Sequence, residues 1–184
     1  MKQVLVGAAV AAVAMFFWGF LFWGATDIPY KAVMRAAPDE PAFAQKLKEA
    51  LPETGVYLVP SPSSGLSQEE MTKRMGEGPV AQVIFIREGV AMGAGVFLWG
   101  YLHMFVTAVV AGLFLRAALP AAAGYGSRFN LVLLAGLAGS VFSNLGKPIW
   151  WHHPWSYHIL YFTYDVTSWL LAALMLAKFV RERN

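Results

Sequence analysis

Cysteine does not occur anywhere in the 184 residues. That absence excludes disulfides, thiolate nucleophiles, iron–sulfur ligation and cysteine-based zinc sites, and it leaves the redox compartment unspecified. Charge is scarce too, at 14% of residues, and the basic residues outnumber the acidic only 14 to 11. So small an excess points away from nucleic acid as a partner. What the chain has instead is apolar mass: 58% hydrophobic residues and a mean hydropathy of +0.51, more than an ordinary soluble domain carries. The composition predicts an integral membrane protein, with the lipid bilayer as its first partner.

Crossing a hydrocarbon core takes roughly 20 apolar residues at a helical rise of about 1.5 Å each. Four segments meet that length, approximately residues 4–25, 89–119, 129–145 and 156–180. The second is longer than a bilayer needs and is expected to tilt or project; the third is short and can extend to Trp150. The first begins Met1, Lys2 and then runs apolar, but bulky Phe22 and Trp23 stand where a signal-peptide cut would need a small residue. It is therefore expected to stay attached as a span. The resulting fold class is an all-α membrane protein, a four-helix transmembrane bundle with a small extracytoplasmic α+β cap between the first and second spans. Its divisions are residues 1–25, 26–88 and 89–184.

Orientation follows from basic residues near the spans, which are retained on the cytoplasmic side. Lys2, Arg116, Arg128, Lys178, Arg181 and Arg183 all fall on one side of the four-span arrangement. Both termini are thus expected in the cytoplasm of a bacterial cell, the protein sitting in its inner membrane as a multi-pass chain.

The cap carries its own pattern. A short helix is expected over residues 29–37, with proline in the first turn, and a second from near Asp39 with Phe43, Leu47 and Leu51 at spacing four. GVYLVP reads as a strand, PSPSSG as a turn, and VAQVIFIRE, residues 80–88, as the second strand. Ser67 and Glu70 have capping-box spacing ahead of Met71 and Met75. Two strands alone bury too little to be stable, so this unit needs a further surface to lean on. Within it, LPETG, residues 51–55, resembles the sorting pentapeptide of sortase-anchored proteins, but that motif stands just before a C-terminal apolar segment and here three spans follow. Its expected role is local: Pro52 ends a helix and Gly55 allows the turn.

The spans are rich in small residues at spacing four: Gly7 with Ala11, Gly89 with Gly93, Ala108 with Gly112, Ala135 with Gly139, and Gly136 with Ser140. Such pairs let helices approach closely in lipid, where dispersion holds them together, and they suit a tightly packed bundle.

Chemistry-bearing residues gather in GKPIWWHHPWSYHILYFTYD, residues 146–165. Trp150, Trp151, Trp155 and Tyr157, with Trp23 on the same side, fit an interfacial aromatic belt, since each ring has an apolar body and a polar edge. His152, His153 and His158 lie close together, and imidazole ligates zinc, copper, nickel and haem iron. No HExxH-type spacing accompanies them, so they are read as interfacial. The alternatives are a transition metal held by His152, His153 and His158, or a haem between His103 and His158. Deeper, Asp165 lies about 14 Å into the fourth span and His103 at a comparable depth in the second. An intramembrane carboxylate demands a partner, and one on the second span is expected, His103 or a neighbouring tyrosine, with Tyr101, Tyr161, Tyr164, Thr107, Thr163, Thr167 and Asn144 available to complete a polar network. Such a network can staple helices, relay a proton or orient a ligand; a staple is the expectation.

The motifs FFWGFLFWG in the first span, GVYLVP and GPVAQVIFI in the insertion, and the Trp-rich turn before an Asp-bearing last span resemble those of small uncharacterised bacterial inner-membrane proteins with four spans and a short extracytoplasmic α/β insertion. The resemblance implies that topology and brings no established activity. Two functional classes follow. The first is a non-catalytic accessory or scaffold subunit of a larger membrane assembly, without a cofactor, partnered by another membrane protein or by further copies of itself. The second is a haem- or metal-binding redox or transport protein using the histidines and Asp165. The topology is testable directly: reporter fusions after Gly65 and after Asn184 should report opposite compartments, and agreement between them would overturn the four-span arrangement.

Overall fold

The computed structural model describes residues 1–182; Arg183 and Asn184, expected to close the basic C-terminus and to carry one reporter fusion, lie outside the described residues. Two compact units form, one from Met1–Arg35 together with the chain from Gly93 onward, the other from Ala36–Met92. The division differs from the expected boundaries of 26 and 88 at both ends.

The first unit holds α1 (Lys2–Gly19), α2 (Ile28–Val33), α5 (Ala94–Ala117), α6 (Tyr125–Ser140), α7 (Gly146–Trp151) and α8 (Trp155–Phe179). The short helix α2, expected in the cap, belongs here: Pro29 is buried and the Tyr30 ring lies 6.0 Å from that of Trp23. A five-residue π-helical turn, Phe20–Gly24, prolongs α1, and another, Val141–Leu145, joins α6 to α7 without a break. Four continuous helices are thereby long and apolar enough to cross a membrane: Lys2–Gly24, Ala94–Ala117, Tyr125–Trp151 and Trp155–Phe179. The second starts five residues later than expected. Gly89 takes a positive φ of 77° and Gly93 is extended, so the backbone ahead of Ala94 is not helical and the helix is shorter than the expected 89–119.

Helix α1 packs against α5 and α8, and α8 packs in turn against α6, whereas α5 and α6 scarcely meet. The core between them is small-residue packing: Val4, Ala8, Ala11, Ala108, Leu115, Ala172 and Leu176 are fully buried. A Cβ on Gly112 would sit 3.0 Å from Val4, and one on Gly136 would fall 2.3 Å from the Trp169 ring. At these two positions glycine lets a neighbouring side chain lie against the helix backbone, as dispersion-driven association in lipid requires. Not every small pair serves this way. Gly89 and Gly93 lie outside the helix, and nothing approaches Gly139.

The second unit comprises α3 (Glu40–Ala50), β1 (Gly55–Val59), α4 (Gln68–Glu77) and β2 (Ala81–Phe85), with β1 and β2 antiparallel and Val56 opposite Ile84. Asp39 caps α3 by accepting from the Ala42 amide at 3.0 Å. Ser67 accepts from the Glu70 amide at 3.2 Å, but only this half of the capping box forms, because the Glu70 carboxylate takes the Arg74 guanidinium at 3.0 Å instead. Strand β2 is shorter than the expected 80–88, and the residues after it tie the unit together. Arg87 donates to the Lys48 and Leu51 carbonyls at 2.7 and 2.9 Å, satisfying the C-terminal end of α3. Thr54, inside LPETG, accepts from the Arg87 amide at 2.9 Å and donates to the Glu88 carboxylate at 2.7 Å. Chiefly through that hydroxyl, the exposed Glu88 carboxyl is held below its ordinary range.

Replacing Arg87 by Met should lower hydrogen-exchange protection of the strand amides in the full-length chain by about 1–3 kcal/mol, as expected for lost charged hydrogen bonds. Because the folded-state pKa of Glu88 is depressed, its contribution is present at neutral pH and disappears as pH falls through that lowered value. Protection corrected for intrinsic exchange should therefore decline in acid, and less steeply in Thr54→Val; identical profiles would refute the tie.

Candidate functional site

The intramembrane carboxylate meets its partner on a different helix from the one expected. Asn144 donates through Nδ2 to Asp165 Oδ2 at 2.7 Å, linking the third span to α8. The π-helical turn at Val141–Leu145 places an extra residue in the helix just where Asn144 is needed. The same amide nitrogen lies 3.2 Å from both the Ser140 carbonyl and the Ser143 hydroxyl, so the Asn144 side chain is oriented from its own helix. Asn144 is buried and Asp165 half-buried. The expected pairing with His103 is corrected accordingly: Asp165 meets Asn144, while the His103 carbonyl accepts from the Thr107 hydroxyl and the His103 side chain is exposed in the gap beside α5. Helix α8 packs closely on α6 and only lightly on α5, and residue spacing within one helix does not disclose which neighbour a face will meet.

Other polar groups follow the same rule. Trp18 Nε1 donates to Thr167 Oγ1 at 2.9 Å, joining α1 to α8. Arg128, read from sequence only as a topology signal, is buried in the first turns of α6, where Nε donates to the Ala177 carbonyl at 3.0 Å and Nη1 donates to Ala123. It thus satisfies a carbonyl in the last turn of α8 and complements that helix's negative end. Tyr125 adds a bond to the Leu174 carbonyl at 3.3 Å. An arginine standing directly ahead of the expected third span was the available signal for this cap.

Of the three clustered histidines, two pair. His153 Nδ1 and His158 Nε2 are 2.9 Å apart, with ring planes 18° from parallel and centroids 5.1 Å apart. That centroid separation matches one ring radius on each side of the N···N line, so the rings meet edge to edge and not face to face. A proton fits between them; a metal ion bonded to both along that line, at about 2.0–2.1 Å from each nitrogen, does not. His158 is buried, and among the described residues its Nδ1 has no hydrogen-bond partner. His152 ends α7 in the left-handed region at φ 55° and is exposed. Among the described residues no three His, Asp or Glu side chains gather as a metal-binding group, and no hydrogen bond or ring contact joins His103 to His158.

The belt residues divide. Trp150, Trp151 and Trp155 are exposed, 78% in the case of Trp150. Trp23 and Tyr157 are half-buried in an aromatic file between the end of the first span and the start of α8, where Trp23 lies 4.9 Å from Tyr161 and Tyr157 4.7 Å from Tyr161. Between α5 and α6 a cleft of about 770 Å³ opens, lined by Trp99, His103, Thr107 and Val110 on one side and by Val132 and Trp169 on the other. Trp169 is pinned there by its contact with Gly136. Compared with known proteins, the chain matches no family model, no curated protein and no solved structure.

The Asn144–Asp165 bond has the chemistry of a staple, since an amide neither gives nor takes a proton near neutral pH. Asp165→Leu should destabilise the bundle in detergent. A double-mutant cycle of Asn144→Ala with Asp165→Ala should return a coupling of about 0.6–1.7 kcal/mol, the range for interhelical hydrogen bonds in membranes. Zero coupling, or an Asp165→Leu variant as stable as the parent, would refute the pairing.

Proposed function

We propose that this chain is a non-catalytic accessory or scaffold subunit of a larger membrane assembly, oriented in a bacterial inner membrane with both termini cytoplasmic and the α+β unit outside. The observation that carries the proposal is the cleft beside α5. The spans pack in the order α5, α1, α8, α6, while α5 and α6, joined directly by residues 118–124, leave a lateral opening lined by apolar side chains and the His103 imidazole. A transmembrane helix of another subunit, or of a second copy, would fill that opening and offer His103 a hydrogen-bonding group at a depth where water cannot. The exposed sheet pair Val56 and Ile84, 60% and 74% accessible, offers a further contact in the other unit. The orientation is supported by the convergence of Lys2, Arg116 and Arg181 at one end of the bundle.

The lack of cysteine makes the test clean. Val110→Cys places a single thiol in the cleft and Val13→Cys places one on the exposed side of α1. Cross-linking in native membranes should give a discrete adduct from Val110→Cys and none from Val13→Cys, its mass separating a second copy from a different subunit. No adduct from either, with a monomer in mild detergent, would overturn the proposal.

The second reading, a haem- or metal-binding redox or transport protein, is favoured by the unpartnered buried Nδ1 of His158. One haem or one metal per purified untagged chain, lost in His158→Ala, would decide for it; a spectrum without a Soret band and only trace metal would decide for the scaffold.

A further inference from the structure

At the end of the bundle where α1 begins and α5 and α8 finish lies a pocket of about 440 Å³. Three cations line it, each from a different part of the chain: Lys2 opens α1, Arg116 stands in the last turn of α5, and Arg181 follows α8. Among the described residues Glu182 is the single carboxylate in the lining, and the exposed Met1 side chain and Pro120 give the pocket an apolar side. The ion pairs formed among the described residues, Lys31 with Asp27 and Arg74 with Glu70, lie elsewhere and neutralise none of these cations.

We infer that this pocket binds a phosphate group, and specifically the headgroup phosphate of an anionic phospholipid. Among the described side chains three cations face one carboxylate, a balance that calls for an anion. Guanidinium groups match phosphate oxygens in pairs, and the ammonium adds a further point charge. The position matters equally. All three cations sit where membrane-spanning helices end, at the level of lipid phosphates, and basic pockets between helix ends at that level recognise anionic headgroups. The apolar side formed by the exposed Met1 side chain and Pro120 suits the start of an acyl chain, which a free phosphate would leave uncovered.

The test is native mass spectrometry of the full chain in a neutral detergent with added dioleoyl phosphatidylglycerol, dioleoyl phosphatidylcholine or inorganic phosphate. One phosphatidylglycerol should be retained per chain in preference to phosphatidylcholine. Arg116→Gln with Arg181→Gln should weaken that retention about thirtyfold, on the basis of the usual contribution of each cation near an anionic surface. Glu182→Gln should tighten it about fivefold, a change of sign that misfolding does not produce. Lys73→Gln, in the other unit, should leave it unchanged. Displacement of the lipid by inorganic phosphate, with the same response to the variants, would assign the phosphate site to a soluble ion; retention against inorganic phosphate assigns it to the membrane. Equal retention of the two lipids, or binding indifferent to both the double variant and Glu182→Gln, would overturn the inference.

Discussion

Inside a bilayer there is no water to complete a hydrogen bond, so each polar group in a span must be answered by the protein itself. Here the answers converge on one helix. Trp18 of the first span reaches Thr167, Asn144 of the third reaches Asp165, and Arg128 and Tyr125 reach the Ala177 and Leu174 carbonyls. All four acceptors lie on α8. Helix α5 takes part in none of these bonds and is held through α1 by close packing around Val4, Ala108 and Gly112. The lateral cleft lies on the side of the bundle where this network stops.

The same accounting explains both buried or half-buried arginines. Arg128 in the bundle and Arg87 in the α+β unit each bring a guanidinium to carbonyls at a helix C-terminus, where the last turn has no amide donors left. One sits among spans and the other in a unit rich in charge, yet the geometric need is identical. A cation at that end also opposes the helix dipole, so hydrogen bonding and electrostatics act together.

Much of this was legible in the sequence. Apolar run length announced the four spans, Asp39 announced the start of α3, and the segments GVYLVP and VAQVIFIRE were read as the two strands. The partner of Asp165 was not legible. Hydropathy reports that a segment is helical and apolar, but it is silent on how each helix is rotated and on which helices become neighbours. The π-helical turns at Phe20–Gly24 and Val141–Leu145 compound the difficulty, because one extra residue rotates everything beyond it relative to a regular helix. Asn144 was a named member of the polar set, yet only the turn that carries it brings it to Asp165. For the same reason His152, His153 and His158, adjacent on paper, separate into one exposed residue at a helix end and one hydrogen-bonded pair. Thr54 went unremarked: LPETG was read as a local helix end and turn through Pro52 and Gly55, and its threonine also braces two strand ends.

The placement of the hydrogen-bonding hub has a temporal consequence. Helix α8 follows the other three spans in the chain, so a ribosome delivers it last. Until it emerges, the Trp18 indole, the Asn144 amide and the Arg128 guanidinium lack the acceptors they use in the finished bundle and must be accommodated by lipid headgroups, by water at the bilayer edge or by the insertion machinery. Assembly of the first three spans is therefore provisional, and arrival of the fourth converts a loose set of inserted helices into a single cross-braced structure.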